Sequence, residues 1–287
     1  MKILYATDLH ARPDRYREVL DHARWHRVDA VVTGGDALEW CLDDLAATAA
    51  CQQAFLRDFL DPHFREYDDA GIHWLGILSS HDLPAIDEAF DALCAAHTHA
   101  HHCSRRRIEL GGYEFIGFDL VVDYPFPPKS RCRAEDARFR PPPGRGQPVE
   151  ATPEGWRVVP DWPARLASLP TIEQELAALP RPRDPRRAVY IIHHPPAGLG
   201  LATIHSGADI GSPVIRRFLE QLQPRVALHG HIHESPAITG RWQGWLGSTL
   251  CLQPGQGDPL QWLLLDLDTL EATWHGPGGP RRLATQR

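Results

Sequence analysis

Five short runs in the chain set carboxylates and imidazoles at spacings suited to metal binding: Asp8-Leu9-His10, Gly34-Gly35-Asp36, Ser79-Ser80-His81-Asp82, His193-His194-Pro195-Pro196 and His229-Gly230-His231-Ile232-His233. A carboxylate and an imidazole one residue apart on an extended segment project to the same side and can converge on one ion. Glycines ahead of Asp36 let the backbone turn tightly and carry its carboxylate into the same space. Any one of these runs arises by chance. Five in order, each directly after an aliphatic or β-branched run, point to a single shared site. A mixed oxygen and nitrogen donor set suits manganese, iron, zinc or cobalt, and argues against calcium or a purely magnesium site, which would be oxygen-only.

The elements that must position these residues follow from periodicity. Over the first 120 residues, short aliphatic runs at Lys2–Thr7, Ala30–Thr33, Ile72–Leu78 and Tyr113–Phe118 read as strands. The segments between them, Asp14–Arg27, Asp43–Tyr67 and Pro84–Ala96, have helical spacing, with Asp43 and Asp82 as candidate N-caps. The pattern resumes with a strand at Ala188–Ile192, a helix at Pro213–Gln221 capped by Ser212, a strand at Arg225–Leu228, a strand-rich stretch over Ile238–Gln253 and a last strand at Gln261–Asp266. This is a layered α/β chain, and in such folds sites assemble at the carboxyl ends of strands. Residues 123–185 differ in character, because 14 of the 26 prolines fall there and forbid long regular elements. One short helix is expected within them, at Thr171–Leu179. The simplest account is one domain over 1–287 with a Pro/Arg-rich insertion that could serve as a lid over the site.

Composition bounds the function. With 287 residues, 43% hydrophobic and 23% charged, the chain can bury a sizeable core. It holds no run of 18 uncharged apolar residues, and Asp8 interrupts the stretch where a signal peptide would be apolar, so a soluble cytoplasmic protein without membrane association is expected. A net charge of −7 disfavours extended binding to nucleic acid, though not a local basic groove. The six cysteines contain no Cys-x-x-Cys and read as reduced thiols that mostly fill the core. A second histidine group, His97, His99, His101 and His102, has no accompanying carboxylate in sequence and reads as a solvated loop or edge strand.

Taken in order, the five runs resemble the calcineurin-like metallophosphoesterase family, whose motifs are Asp-x-His, Gly-Asp, Gly-Asn-His-(Asp/Glu), a His after a strand, and Gly-His-x-His. The resemblance spans Lys2 to about Asp266 apart from the insertion. It implies a four-layer αββα sandwich of two mixed β-sheets with a dinuclear metal site at the sheet ends. Carried over residue by residue, it implies one ion on Asp8, His10 and His233, another on His193 and His231, and Asp36 bridging both. His81 corresponds to the family's proton donor to the leaving alkoxide, a role suited to an imidazole titrating near neutral pH. His194 becomes a neighbour of the ligands, and His229 reads as packing. Leu252–Gln256 looks like the Asn-Pro-Gly segment that follows Gly-His-x-His in the family. One departure stands out: the family's asparagine is Ser80 here, so the second ion is expected to bind more weakly. Ser80 and His194 are candidates for a weak metal or substrate contact. Asp82 is expected to cap the following helix rather than to orient His81.

The reaction implied is hydrolysis of a phosphate ester by metal-activated hydroxide, using two divalent transition-metal ions. The favoured substrate is a small soluble phosphodiester such as a nucleotide. Two alternatives stand beside it. One is a DNA or RNA nuclease of the same family, using a groove of Arg131, Arg133, Arg138, Arg140 and Arg145; the other is a degenerate, non-enzymatic scaffold, for which Ser80 is the only support. The oligomeric state is not legible.

Overall fold

The computed structural model describes residues 1–39, 45–152 and 155–283. Two mixed sheets carry the fold. The first has seven strands in the spatial order Arg281–Arg282, Ala272–His275, Trp262–Asp266, Lys2–Ala6, Ala30–Thr33, His73–Gly76, Ala100–His102. Its four N-terminal strands are parallel and its three C-terminal ones antiparallel. The second has six, ordered Gln243–Leu246, Thr249–Leu252, Val226–Leu228, Ala188–Ile192, Tyr113–Phe118, Arg107–Leu110, with antiparallel strands only at its two edges.

Alternation along each strand sorts side chains onto two faces. In Lys2–Ala6, Leu4 and Ala6 pack with Tyr16, Leu20 and Phe64 from the helices Pro13–His26 and Asp61–Ala70. Ile3 and Tyr5 on the opposite face meet Phe115, Val189 and Val226 of the second sheet. Beyond that sheet, Ile116, Phe118 and Tyr190 pack with Leu176, Val214 and Leu219 of the helices Ile172–Ala177 and Pro213–Leu222. Three buried clusters therefore separate four layers, the αββα sandwich. Coverage on both faces explains why the inner strands read as unbroken apolar runs, as in Ala188–Ile192, where every residue is buried.

Several elements differ from expectation. The stretch expected to be strand-rich from Ile238 begins inside a short helix, Ser235–Thr239. The edge strands Arg107–Leu110 and Arg281–Arg282 were not expected: the first alternates charged and aliphatic residues over only four positions, and the second is two arginines. The helix expected at Asp43–Tyr67 is described from Leu45, with a π-helical stretch at Leu56–Leu60 joining it to Asp61–Ala70. Asp43 and Cys41 lie outside the described residues. Cys94, Cys103, Cys132 and Cys251 are buried free thiols, and Cys51 is free and exposed. No helix among the described residues is long and apolar enough to cross a membrane.

Two of the second group's histidines, His101 and His102, lie on the edge strand Ala100–His102, as one of the two expected readings had it, but the group is not free of carboxylates. His97 lies between Asp68, 2.8 Å from Nδ1, and Asp61, 3.1 Å from Nε2. Asp68 also faces His99, and His102 pairs with Asp91. Those carboxylates come from neighbouring helices, which spacing along the chain does not reveal.

Residues 123–185 are built from short pieces, as their prolines require. Cys132–Arg133 pairs with Val121–Val122, Val149–Thr152 forms a hairpin with Gly155–Val158, and two short helices follow at Trp162–Ala167 and Ile172–Ala177. The second is the expected helix, started by a reciprocal hydrogen-bonded pair of Thr171 and Gln174. Val121, Cys132, Val159, Trp162 and Leu166 form a small separate core under this segment.

Candidate metal centre

The parallel strands Lys2–Ala6 and Ala30–Thr33 stay laced together past their ends. Gly34 N–H donates to Ala6 O at 3.0 Å, Asp8 N–H to Gly35 O at 3.0 Å, His10 N–H to Asp36 O at 3.0 Å and Ala11 N–H to Ala37 O at 2.8 Å. Within that ladder Asp8, His10 and Asp36 adopt positive φ of 56°, 46° and 47°, as does His231 at 67° in the later loop. The segment Asp8-Leu9-His10 is therefore not extended, contrary to expectation. Left-handed conformations are unfavourable for residues with a Cβ and persist where surrounding bonds over-determine them, which is typical of functional sites. Glycine is obligatory beside them. A Cβ on Gly35, at φ 105°, would stand 2.7 Å from Ser79 Cβ, and one on Gly230 would stand 2.5 Å from Asp8 Oδ2.

Two sets of ligand-type atoms converge at the strand ends. Asp8, His10, Asp36 and His233 form one, and Asp36, His193 and His231 the other, with the atoms of each set within 4.8 Å of one another. Asp36 is common to both. His233 Nε2 lies 3.0 Å from Asp8 Oδ1, and His193 Nε2 lies 3.2 Å from Asp36 Oδ2 and 3.7 Å from Asp8 Oδ1. His193 Nδ1 donates to Gly34 O at 2.7 Å, which aims Nε2 at the two carboxylates.

These residues fit divalent cations. His10 Nε2 and His193 Nε2 are buried with no hydrogen-bond partner, and two fully buried carboxylates need neighbouring positive charge. Burial works against ionisation of Asp8, yet His233 and His193 outweigh it and hold the carboxyl well below the usual range. Asp36 is held down in the same way, chiefly by His193 and His81 against its burial. Burial alone would lower His193, but Asp36 and Asp8 raise it to about 9. Burial lowers His10 to about 4 despite the same carboxylates, and burial with His193 and His194 lowers His231. The carboxylates Asp8 and Asp36 and the imidazoles His10 and His231 are thus shifted toward the forms that ligate metals, whereas His193 and His233, raised by the same carboxylates, would each give up a proton to a bound cation.

A further set of side chains holds this arrangement. Ser80 Oγ–H donates to Asp36 at 2.9 and 3.0 Å, and His81 N–H to Asp36 Oδ1 at 3.0 Å. Asp82 does not cap the following helix. Its buried carboxylate accepts from Ser79 N–H at 2.7 Å, Leu38 N–H at 2.7 Å and Ala37 N–H at 3.2 Å, and so ties the second and third motif loops together. Leu83, not Asp82, occupies the N-cap position of the following turn at Pro84–Ile86, and its N–H donates to Gln52 Oε1 at 3.0 Å. Burial, with Asp36 nearby, raises Asp82 to about 7.

Gln52 was not singled out in the sequence, where it is one polar residue in a helix. Besides accepting from Leu83, its amide donates to His81 O at 2.9 Å and Glu39 O at 2.8 Å. Gln253 and Gln256 play the same part for the last loop: Gln253 donates to Ile232 O at 2.7 Å and Gln256 to Asp8 O at 2.7 Å. Gln253 and Gln256 lie in the segment that resembles the family's Asn-Pro-Gly, whereas no motif marks Gln52. Gln52→Ala is expected to leave buried backbone groups unpaired and lower unfolding free energy by about 2–4 kcal/mol, measured by urea denaturation. An unchanged midpoint would contradict this bracing role.

His194 and His229 stand apart from the two sets. His194 Nε2 meets Ile210 O at 3.1 Å, and its ring lies 5.2 Å from that of His231. His229 is fully buried, with Nδ1 donating to Ile192 O at 2.8 Å.

Facing mixed sheets with a carboxylate–imidazole cluster at their strand ends define a metal-dependent hydrolase. A family model described as calcineurin-like phosphoesterase matches residues 1–235, and the protein belongs to that family of phosphate-ester hydrolases that depend on two metal ions. Among solved structures, TT1561 of Thermus thermophilus is similar with a TM-score of 0.55 at 14% identity, covering 95% of this chain and 97% of that one. A dimetal phosphatase from Danio rerio is similar with a TM-score of 0.52 at 10% identity, covering 98% of each chain. At these identities the likeness is one of fold. A search of curated protein sequences gives no match.

Proposed function

We propose that this chain, acting as one phosphoesterase domain, hydrolyses a phosphodiester of a small soluble substrate such as a nucleotide. Asp8, His10 and His233 would hold one ion, His193 and His231 a second, and Asp36 both, with manganese, iron, zinc or cobalt suited to the mixed donor set. The observation that carries this reading is that the two ligand sets share Asp36 on the floor of one open cavity. When bound, the two ions acidify a water to supply the nucleophile and neutralise charge on the phosphoryl oxygens.

The chain's own residues do the rest. His81 lines the cavity half-buried, 4.8 Å ring to ring from His10, with its backbone clamped at N–H by Asp36 and at C=O by Gln52. That clamp leaves the imidazole free to give a proton to the departing oxygen. The bond from phosphorus to that oxygen breaks as the one to the attacking oxygen forms, so proton delivery matters most for a poor leaving group.

Neutralisation of arginines in the insertion favours a small substrate over a polymer. Of the five arginines considered for a nucleic-acid groove, Arg131 is buried against Asp119 and Asp87, Arg133 faces Glu175, and Arg138 faces Asp136. The reading is tested by assaying purified protein with manganese over bis-p-nitrophenyl phosphate, p-nitrophenyl phosphate, cyclic nucleotides and single-stranded DNA. Diester turnover exceeding monoester turnover supports it. Preference for DNA, with steep loss of affinity as salt rises, would overturn it in favour of a nuclease.

Ser80 bears on the second ion. Its hydroxyl donates to Asp36 instead of presenting an amide oxygen, so that ion is expected to bind more weakly than the first. Ser80→Asn is expected to tighten it about tenfold, equivalent to 1.4 kcal/mol. Calorimetric metal titration checks this. Two equally tight sites in the unaltered protein, unchanged by the substitution, would contradict it.

A further inference from the structure

The metal-facing cavity is much larger than the scissile group needs. It measures about 1180 Å³, and its far wall is supplied by residues 122–145 of the insertion and by the loop around Ile210. That wall is unusual in two independent respects. Among the described residues five large hydrophobic side chains are exposed, and two of them, Phe126 at 49% and Ile210 at 40%, line this cavity. Single exposed hydrophobic side chains are ordinary on a surface, but apolar groups lining one concave cavity are what ligand sites present.

The second respect is charge. Arg131, Arg133, Arg138, Arg157 and Arg165 of the insertion each lie against a carboxylate. Arg140 and Arg145, both on the cavity wall, have no carboxylate within 4.0 Å among the described residues. Arg140 reaches only the backbone carbonyls of Arg138 and Phe139, and the Arg145 guanidinium stands 5.8 Å over the Phe126 ring. Two of the wall's acids are engaged, Glu135 accepting from the Ser212 hydroxyl and Asp123 pairing with Lys129, while Glu234 stands on the wall with His205 4.0 Å away. An exposed aromatic ring with one guanidinium over it, and a second guanidinium free of carboxylates on the same cavity wall, matches a ligand that carries a planar ring and a negative charge remote from the reacting phosphorus.

We infer that this wall is a substrate subsite, with Phe126 stacking on a planar aromatic ring and Arg140 and Arg145 holding a second phosphate, so that the substrate class is an ester of a nucleoside diphosphate. The inference rests on the phosphoesterase reading for the site of cleavage, but the subsite is defined by residues outside both ligand sets. Cation–ring stacking tolerates any base, so Phe126 and Arg145 select an aromatic group rather than one nucleobase.

Binding separates the two contributions. Chelator-treated protein is titrated by calorimetry with adenosine diphosphate, adenosine monophosphate, inorganic pyrophosphate and inorganic phosphate. Adenosine diphosphate is expected to bind about tenfold or more tightly than either the monophosphate or pyrophosphate, in line with the worth of one stacked ring or one charge-assisted contact. Phe126→Ala is expected to erase the preference over pyrophosphate, and the double substitution Arg140→Gln, Arg145→Gln the preference over the monophosphate. All three positions are solvent-exposed, and unaltered circular dichroism confirms that folding is retained. Equal affinity for adenosine diphosphate and pyrophosphate, or preferences untouched by these substitutions, overturns the subsite. In a parallel assay, hydrolysis of bis-p-nitrophenyl phosphate by the manganese-loaded protein without any specific diphosphate binding refutes the subsite and leaves the phosphoesterase reading standing. Specific binding with no ester hydrolysed does the reverse.

Discussion

Asp36→Asn is expected to abolish turnover and to cost the protein both ions. Asp36 is the one residue common to the two ligand sets among the described residues, so its charge would face two cations where every other ligand would face one. At an effective dielectric near 20, a unit charge 4 Å from a carboxylate gains about 4 kcal/mol, and losing two such terms corresponds to a fall of at least about 10³-fold in activity. The amide keeps an oxygen for the Ser80 hydroxyl and the His81 N–H, so the loops should retain their shape. Metal analysis and turnover of the purified variant check this. Two ions per chain with normal turnover would show that Asp36 does not bridge.

His81→Ala is expected to leave folding and metal content intact and to slow hydrolysis of esters with alkoxide leaving groups by about 10²- to 10⁴-fold, the range for a positioned general acid. Nitrophenol esters depart without help and should lose far less. The geometry explains the selectivity: His81 belongs to neither ligand set, while its backbone is fixed from both sides by Asp36 and Gln52. Equal losses on both classes of ester would remove His81 from proton transfer.

The two predictions rest on residues that could be read from the chain before any fold was known, and the reason is physical. Asp8, His10, Asp36, His193, His231 and His233 all lie in the short loops that leave the ends of apolar strands, so strand periodicity and ligand type point to the same places. The layered α/β organisation was legible for the same reason, because strands covered on both faces are continuously apolar, while the four-layer αββα sandwich was implied only by the resemblance of the five runs to a known family. What stayed hidden depends on pairing across the fold. Asp82 looked like a helix cap because Asp before a helical segment commonly is one, and only the approach of Ala37 and Leu38 shows its other use. Gln52, Gln253 and Gln256 brace backbone carbonyls distant in sequence, and the carboxylate partners of His97, His99 and His102 come from helices that spacing does not place beside them. The left-handed turns at Asp8 and His10 were equally invisible, since neither residue type demands positive φ.

The central claim is that two ions held around Asp36 make this chain a phosphoesterase, and one measurement addresses it directly. Protein stripped with a chelator is titrated with manganese while bound metal and hydrolysis of bis-p-nitrophenyl phosphate are followed together. Activity is expected to be absent in the stripped protein, to stay low while the first ion binds, and to rise as occupancy approaches two ions per chain. Full activity in the stripped protein, or no hydrolysis once two ions are bound, would contradict the account.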